Sequence, residues 1–66
     1  MIQAKRLKLL SAPGTKVRII GNHPWNGYLG KVRDVIYPGG VLMIRVDLED
    51  GKHCAGCYPL NLRIIR

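Results

Sequence analysis

The sequence predicts a small all-β protein, a single domain built as one five-stranded barrel, from three observations. The chain has 66 residues, which suffices for one domain but is too short to enclose a deep substrate pocket. Eight glycines and four prolines divide it into short segments. These segments are rich in Val, Ile, Leu and Tyr, and several alternate apolar with polar residues, which is typical of strands.

The predicted strands cover residues 15–20, 28–37, 41–49, 52–58 and 62–65. The alternation slips near Asp34, which indicates a bulge or bend in the second strand. Residues 38–40 predict a turn, and the Asp50-Gly51 pair predicts a tight hairpin. Residues 59–61 predict a short turn, in the form of one turn of 3₁₀ helix. A barrel with so few strands is filled by its own side chains.

The alternation also predicts the core and the boundaries of the domain. The expected core residues are Val17, Ile19, Val32, Leu42, Ile44, Val46, Leu48, Leu60 and Ile64. Residues 13–66 are predicted to form the barrel. Residues 1–12 are either a basic N-terminal arm or an extra strand that pairs through Ile2, Ala4, Leu7 and Leu9.

The net charge of +7, from eleven Lys and Arg against four Asp and Glu, predicts attraction to polyanions. Nucleic acid, an acidic protein surface and an anionic membrane all fit such a field, and a plain solvated surface remains the alternative. No signal peptide or membrane helix is predicted. We therefore expect a cytoplasmic protein, and its size and basic character also suit one encoded by a phage or mobile element.

The spacing Gly14-x-x-Val17-x-Ile19, followed by Gly27-x-x-Gly30-x-Val32, resembles a KOW motif across residues 13–36. The resemblance implies an SH3-like barrel that binds RNA or a protein surface in transcription or translation. It implies that Gly27 and Gly30 are structural glycines in turns. The loop before Gly27 is slightly longer than is usual in the family.

The loop from Asn22 to Tyr28 is a candidate binding site. Trp25, the only tryptophan, and Tyr28 suit stacking on an unpaired base. Together with His23 they also suit a protein hot spot. The alternative is that Trp25 folds back and covers one end of the barrel.

Basic residues on the predicted outer face form a second candidate site. Arg18 alternates with apolar residues, and Lys31 and Arg33 share one side of the second strand, so all three are expected to hold phosphates. Arg45 is expected to join them from the third strand. A solvated face is the alternative. Further basic residues near the chain ends are Lys5, Arg6, Lys8, Arg63 and Arg66.

The Cys54-x-x-Cys57 pair is a weak metal candidate, because zinc would need His53 and His23 as further ligands. On a regular strand the two cysteines face opposite sides. A redox pair lacks the βαβ context that it requires. We therefore favour two small apolar residues, and we expect neither a metal nor a cofactor.

The composite prediction is a small basic module that binds RNA or single-stranded DNA, and not an enzyme, since no catalytic motif is present. The alternative is a protein adaptor that docks on a larger assembly such as RNA polymerase or a ribosome. No membrane partner is expected. The chain is predicted to be a monomer or a weak homo-oligomer.

Overall fold

The computed structural model describes residues 4–65 and shows a small all-β protein with one short helix. The strands are β1 (Lys16–Ile19), β2 (Leu29–Ile36), β3 (Met43–Leu48), β4 (Cys54–Cys57) and β5 (Leu62–Ile64). The helix α1 spans Ala4–Leu10, and 3₁₀ turns occur at Pro38–Gly40 and Pro59–Asn61. The five predicted strands and the 3₁₀ turn before the last strand are confirmed, each strand being a few residues shorter than predicted.

The strands form one antiparallel sheet in the order β4-β3-β2-β1-β5. The sheet is not closed, since β4 and β5 are its two edges. A flat sheet would hold these edges about 19 Å apart, at roughly 4.8 Å per strand. Only residues 58–61 join β4 to β5, and three of them form a tight 3₁₀ turn. The sheet must therefore curl strongly so that this short link can reach.

The second strand bends where the sequence predicts a bend. Its register with β3 shifts between Val32 and Asp34, so Arg33 is the extra residue of a bulge. Val32 pairs with Val46, and Asp34 pairs with Arg45. The bulge places Asp34 beside Arg45 on the outer face, which matters for the charge pattern described below.

The core lies on the inner face of the curled sheet, with Val17, Ile19, Val32, Ile44, Val46 and Leu48 buried as predicted. The core prediction is wrong for Leu60, which is 77% exposed. It holds only in part for Leu42, which is half-buried. Leu60 belongs to the 3₁₀ turn, which points it outward, and the core position is taken by Leu62. Ile64 is partly buried against the core. Four buried hydrophobic residues were not in the predicted core: Leu10, Ala55, Cys57 and Leu62.

The N-terminal segment is a helix and not an extra strand over the residues described. The segment Ala4–Leu10 is rich in Ala, Lys, Arg and Leu, which are good helix formers. Leu10 is fully buried in the core, and the Arg6 guanidinium donates to Leu62 O at 2.6 Å. These two contacts fasten α1 to the edge strand β5. Ile2, which the strand prediction used, lies outside the described residues.

The helix is short. With seven residues it measures about 10 Å, at 1.5 Å per residue. Within the described part of the chain no helix is long and apolar enough to cross a bilayer.

Candidate functional site

Four cations on three neighbouring strands share the outer face of the sheet, and we call them the basic face: Lys16, Arg18, Lys31 and Arg63. On β1, Lys16 and Arg18 are exposed and alternate with two buried residues. The register places Lys16 opposite Lys31 of β2, and Arg18 opposite Arg63 of β5. Directly opposed residues of an antiparallel pair project to the same side. The fold therefore brings four cations together.

The basic face opposes like charges in both of its pairs. Backbone hydrogen bonds join β1 and β2 at every second pair of opposed residues, as from Val32 N–H to Thr15 O and from Ile19 N–H to Tyr28 O. The pair of Lys16 and Lys31 falls between two such bonded pairs. The two lysines therefore form a non-hydrogen-bonded pair, in which the Cα atoms lie about 4.5 Å apart and the side chains are closest. Like charges in this position destabilise a sheet. Among the described residues, none of the four cations forms a salt bridge with a carboxylate.

The other two predicted cations, Arg33 and Arg45, are paired. Arg33 lies 2.8 Å from the Asp47 carboxylate, and Arg45 donates through Nε and Nη2 to both oxygens of Asp34. The hydrogen bond from Arg45 lowers the pKa of Asp34, and the ion pair raises the pKa of Arg45. The predicted patch is therefore divided. Arg33 and Arg45 form salt bridges, whereas Arg18 and Lys31 form none within the described chain, although Asp47 lies opposite Lys31 on β3.

A groove of about 400 Å³ crosses the outer face over β1, β2 and β3. Its apolar lining includes Leu29 and Ile65, and its cations are Lys16 and Lys31. Asp47 and Glu49 line its β3 side. The positive charge of the groove therefore lies over β1 and β2, and its negative charge lies over β3.

A second groove, of about 570 Å³, lies between α1 and the β5 edge. Arg63 lines it together with Lys5 and Arg6 of the helix. Because Arg63 also belongs to the basic face, positive charge continues from the sheet around its edge to α1.

The predicted aromatic loop forms a different cluster. Trp25 is half-buried and packs against the core. The Tyr28 ring meets it edge-on, with ring centroids 4.9 Å apart, and the His53 ring lies at the same centroid distance, tilted by 39°. We call Trp25, Tyr28 and His53 the aromatic cluster. Its packing against the core corresponds to the predicted alternative in which Trp25 covers one end of the barrel.

His23 fastens this loop to the other edge of the sheet. Its Nδ1 accepts the Trp25 backbone N–H at 3.0 Å, so Nε2 carries the ring proton. That nitrogen donates to Gly56 O of β4 at 2.9 Å. The contact joins the β1–β2 loop to β4 across the curled sheet. The hydrogen bond from His23 occupies the Gly56 carbonyl of the edge strand β4, and that from Arg6 occupies the Leu62 carbonyl of the edge strand β5. Edge strands whose backbone groups are covered in this way resist pairing with other chains.

The β3–β4 hairpin is held by Asp50. Its carboxylate accepts the backbone N–H groups of Lys52 at 2.8 Å and His53 at 3.1 Å, and lies 2.5 Å from His53 Nδ1. The hydrogen bond from the His53 side chain is the main reason why the pKa of Asp50 falls to about 2. The hairpin thereby orients His53 toward Trp25.

The aromatic cluster and the basic face are on different sides of the sheet. Tyr28 immediately precedes Leu29, so the strand alternation places it on the core side, where Trp25 also packs. Arg18 and Lys31 project outward. The structure therefore does not join Trp25 and Tyr28 with these cations in one site.

The two predicted turn glycines differ in their roles. Gly27 has a φ of +91° and lies in the loop between β1 and β2, as a turn glycine should. Gly30 is not in a turn, because it is a buried residue within β2. A Cβ at Gly30 would lie 2.5 Å from Asp47 O and 2.6 Å from a Val46 methyl carbon. Its role is to allow the close approach of β2 and β3.

The cysteines face opposite sides of β4, as the strand alternation predicts. Cys54 is exposed, whereas Cys57 is fully buried. Burial raises the pKa of the Cys57 thiol to about 11, and its Sγ lies 3.7 Å from His23 Nε2. No group of three or more His, Cys, Asp or Glu able to hold a metal ion occurs among residues 4–65.

Lys16 was not among the binding residues predicted from the sequence, and Arg63 was named only as a basic residue near the end of the chain. Both belong to the basic face only because of the strand register, which pairs them with Lys31 and Arg18. The exposed position of Lys16 was available from its alternation with Val17. Its cross-strand partner was not, because that depends on which residues the loop of 20–28 brings together.

The chain matches no protein-family model, no curated protein and no solved structure.

Proposed function

We propose that this protein is a small nucleic-acid-binding module that holds phosphate groups with its basic face. The observation that carries the proposal is the pair of like-charge oppositions, Lys16 with Lys31 and Arg18 with Arg63. Each opposition destabilises the free protein by about 0.2–1 kcal/mol. A bound polyanion would remove this repulsion, since a phosphate placed between two cations attracts both.

The charges around the basic face support this proposal. Asp47, which lies opposite Lys31, is paired with Arg33, and Asp34 is paired with Arg45. Asp47 and Glu49 line the groove beside Lys31 and offset part of its charge, whereas Arg18 and Arg63 have no carboxylate opposite them in the described strands. Phosphate contacts supply most of the affinity in nucleic-acid binding that is independent of sequence. In this proposal Trp25 holds the β1–β2 loop against the core, and the outer face makes the contacts.

We further infer that the curled sheet is an SH3-like barrel of the KOW type. The sheet order, the bulged second strand and the 3₁₀ turn before β5 support this inference. So does the bridge from His23 to Gly56, which joins the β1–β2 loop to the edge strand β4. Membership of that class would place the module in transcription or translation, on RNA or on a nucleic-acid-processing assembly.

The proposal is tested by removing charge from the basic face and, separately, from elsewhere. The double variant K16Q/K31Q deletes one opposed pair. The control K8Q/K52Q deletes the same total charge from exposed lysines of α1 and the β3–β4 hairpin. Binding of a fluorescein-labelled nucleic acid is followed by anisotropy at 50 mM salt. We expect roughly tenfold or greater weakening in the first variant, through the loss of two phosphate contacts.

The control should bind within about twofold of the wild type, since long-range charge is screened beyond about 10 Å at 0.1 M salt. Equal weakening in both variants would mean that affinity depends on net charge alone, and this would contradict a defined binding site. Failure of the wild-type protein to bind any nucleic acid would contradict the proposed function itself.

A second candidate function, a protein adaptor, is favoured by the exposure of large apolar side chains after β4. Tyr58 is 50% exposed and Leu60 is 77% exposed. Aromatic and apolar side chains of this kind anchor protein interfaces. An adaptor predicts a protein captured from nuclease-treated extract by the wild type and by K16Q/K31Q, but not by Y58S/L60S. Capture that requires the basic face and disappears with nuclease would instead favour nucleic acid.

A further inference from the structure

The strands in the described part of the chain contain no aromatic ring on which a base can stack. The chain has one tryptophan, three tyrosines and no phenylalanine. All four aromatic residues lie in connections between strands, at Trp25, Tyr28, Tyr37 and Tyr58. The outer surfaces of β1, β2 and β5 therefore offer cations, aliphatic side chains and the paired carboxylate of Asp34. This set of side chains favours contacts to the nucleic-acid backbone.

The two aromatic residues closest in sequence to the basic face are already engaged. Trp25 and Tyr28 contact each other edge-on, and Trp25 packs against the core. His23 fixes the Trp25 backbone through its own side chain. To stack on a base, Trp25 would have to leave these contacts. Proteins that bind single strands without sequence preference use open aromatic side chains, each worth about 1–3 kcal/mol per base.

The four cations form a dense, compact array. Along β1, Lys16 and Arg18 are two residues apart, which corresponds to about 7 Å. Across the sheet, Lys31 on β2 and Arg63 on β5 flank the two cations of β1, so the array is about 10 Å wide. A double helix carries one charge per about 1.7 Å of its axis, twice the density of either strand alone. It also keeps its bases stacked, so that only phosphates and sugars need be contacted.

We propose that the basic face binds the backbone of double-helical nucleic acid, independent of sequence, in preference to a single strand. This inference rests on the proposed function and specifies its ligand. A single strand exposes bases for which the basic face offers no aromatic ring and only the guanidinium planes of Arg18 and Arg63. A duplex keeps its bases stacked and places its phosphates on the outside. The shared chemistry of duplex DNA and duplex RNA is their paired phosphate backbones, so both are included in the test.

The charge that continues around the sheet edge extends this binding surface. Arg63 lines the groove between β5 and α1 together with Lys5. Because Arg6 is held by Leu62 O, the helix keeps a fixed position beside β5. A stiff duplex lying on Arg18 and Arg63 therefore passes close to Lys5. This predicts a second, weaker contribution from α1.

The experiment compares four labelled oligonucleotides of equal length and mixed sequence: duplex DNA, duplex RNA and one single strand of each. Anisotropy gives the affinity at several salt concentrations, and Trp25 emission is recorded in parallel with unlabelled oligonucleotide. We expect at least one duplex to bind fivefold or more tightly than its own single strand. Its salt slope should be near 3.6, from four contacts at about 0.9 each. Trp25 emission should stay unchanged at saturation, and scrambling the sequence should change affinity less than twofold.

Two results would overturn the inference and leave the proposed function intact: equal or tighter binding of the single strands, or quenching of Trp25 on saturation. The variant W25L, which keeps an apolar side chain against the core but removes the aromatic ring, separates the second result from an indirect effect, because a lost affinity for single strands would show that the ring is a contact. Absence of binding to all four oligonucleotides would overturn the proposed function and this inference together. K5Q should weaken duplex binding by less than K31Q does, and a reversed order would remove the role given to Lys31.

Discussion

The outer face of the sheet has two halves that treat charge in opposite ways. Over β2, β3 and β4, each arginine meets a carboxylate: Arg33 meets Asp47, and Arg45 meets Asp34. Over β5, β1 and the start of β2, cation faces cation, as in the pair Lys16 and Lys31. The paired half has the charge pattern of an ordinary structural surface. The unpaired half keeps a repulsion that folding alone does not explain.

The contrast shows that counting basic residues does not locate a binding surface. Arg33 and Arg45 are as basic as Arg18, yet their charges are balanced within the sheet. What distinguishes Arg18 is its cross-strand neighbour, which is Arg63. Proteins retain destabilising features most often where function requires them. The pairing of each cation is therefore more informative about binding than the net charge of +7.

The largest expected effect comes from the strand that both halves share. In G30A, the new Cβ would fall 2.5 Å from Asp47 O and 2.6 Å from a Val46 methyl carbon. The backbones of β2 and β3 would have to separate, which we expect to cost about 1–3 kcal/mol, as overpacking does. Urea denaturation measures the loss. Both charge halves would be disturbed, because each depends on the register of β2.

Gly56 of β4 provides the matched control. A Cβ there would meet the Met43 Sδ atom at 2.8 Å, which is near the end of a flexible side chain that can move away. G56A should therefore change the free energy of unfolding by less than about 0.5 kcal/mol. Similar losses in G30A and G56A would contradict the argument that backbone contact at Gly30 fixes the register.

The next effect in size distinguishes the two halves by the sign of the change in the free energy of unfolding when one charge is removed. K16Q removes the like-charge opposition to Lys31 and leaves Lys31 with Asp47 opposite it on β3, so it should raise the free energy of unfolding by about 0.2–1 kcal/mol. R45Q removes an ion pair and should lower it, though only slightly because both partners are partly exposed. Denaturant titrations at low salt measure both. A lower stability for K16Q would show that the opposition carries no strain.

Added salt sharpens the same comparison without mutation. Salt screens the repulsion between Lys16 and Lys31 and also the attraction between Arg33 and Asp47. We expect moderate salt to stabilise the wild-type protein more than K16Q, since the variant has lost the repulsion between Lys16 and Lys31. The melting temperature at several salt concentrations gives the result. An identical salt response in both proteins would mean that the opposed lysines do not interact.

The smallest expected effect is a loss of stability in acid. The folded-state pKa of Asp50 is lowered to about 2, and that of Asp34 is also lowered, so both carboxylates favour the folded state above their unfolded pKa near 4. This contribution is lost as the pH falls from about 4 toward 2. D50N should show a shallower decline over that range when unfolding is followed by circular dichroism. An unchanged decline in D50N would show that the contacts of Asp50 do not persist in solution.

The strands were predictable because alternation reports directly on a half-buried sheet. Val17 and Ile19, and likewise Ile44 and Val46, are buried where the pattern places them. The bulge near Asp34 was visible for the same reason, because the slipped alternation is its direct consequence.

The helix α1 escaped prediction because seven residues carry both patterns. The positions of Ile2, Ala4, Leu7 and Leu9 leave both a basic arm and an extra strand open, whereas the three-residue spacing of Leu7 and Leu10 suits a helix. The buried position of Leu10 decided between them. Leu60 was misplaced because the 3₁₀ turn reverses which neighbour faces inward, so that Leu62 fills the core.

The candidate site was only partly predictable, for a physical reason. Outward positions such as Arg18 and Lys31 follow from alternation within one strand. Whether a cation meets a carboxylate or another cation depends on the register between strands, which the loops and the bulge set together. Arg33 and Arg45 were therefore grouped with Arg18, although each has an acidic partner.

The most direct test of the basic face is a nuclear magnetic resonance titration of the ¹⁵N-labelled protein with a short duplex. We predict amide and side-chain shifts on β1, β5 and the start of β2, centred on Lys16, Arg18, Lys31 and Arg63. Residues 54–57 of β4 should remain unshifted, since they belong to the paired half. Shifts confined to the loop of residues 22–28, or to Tyr58 and Leu60, would contradict the account and move the binding surface to the aromatic cluster or to the apolar side chains after β4.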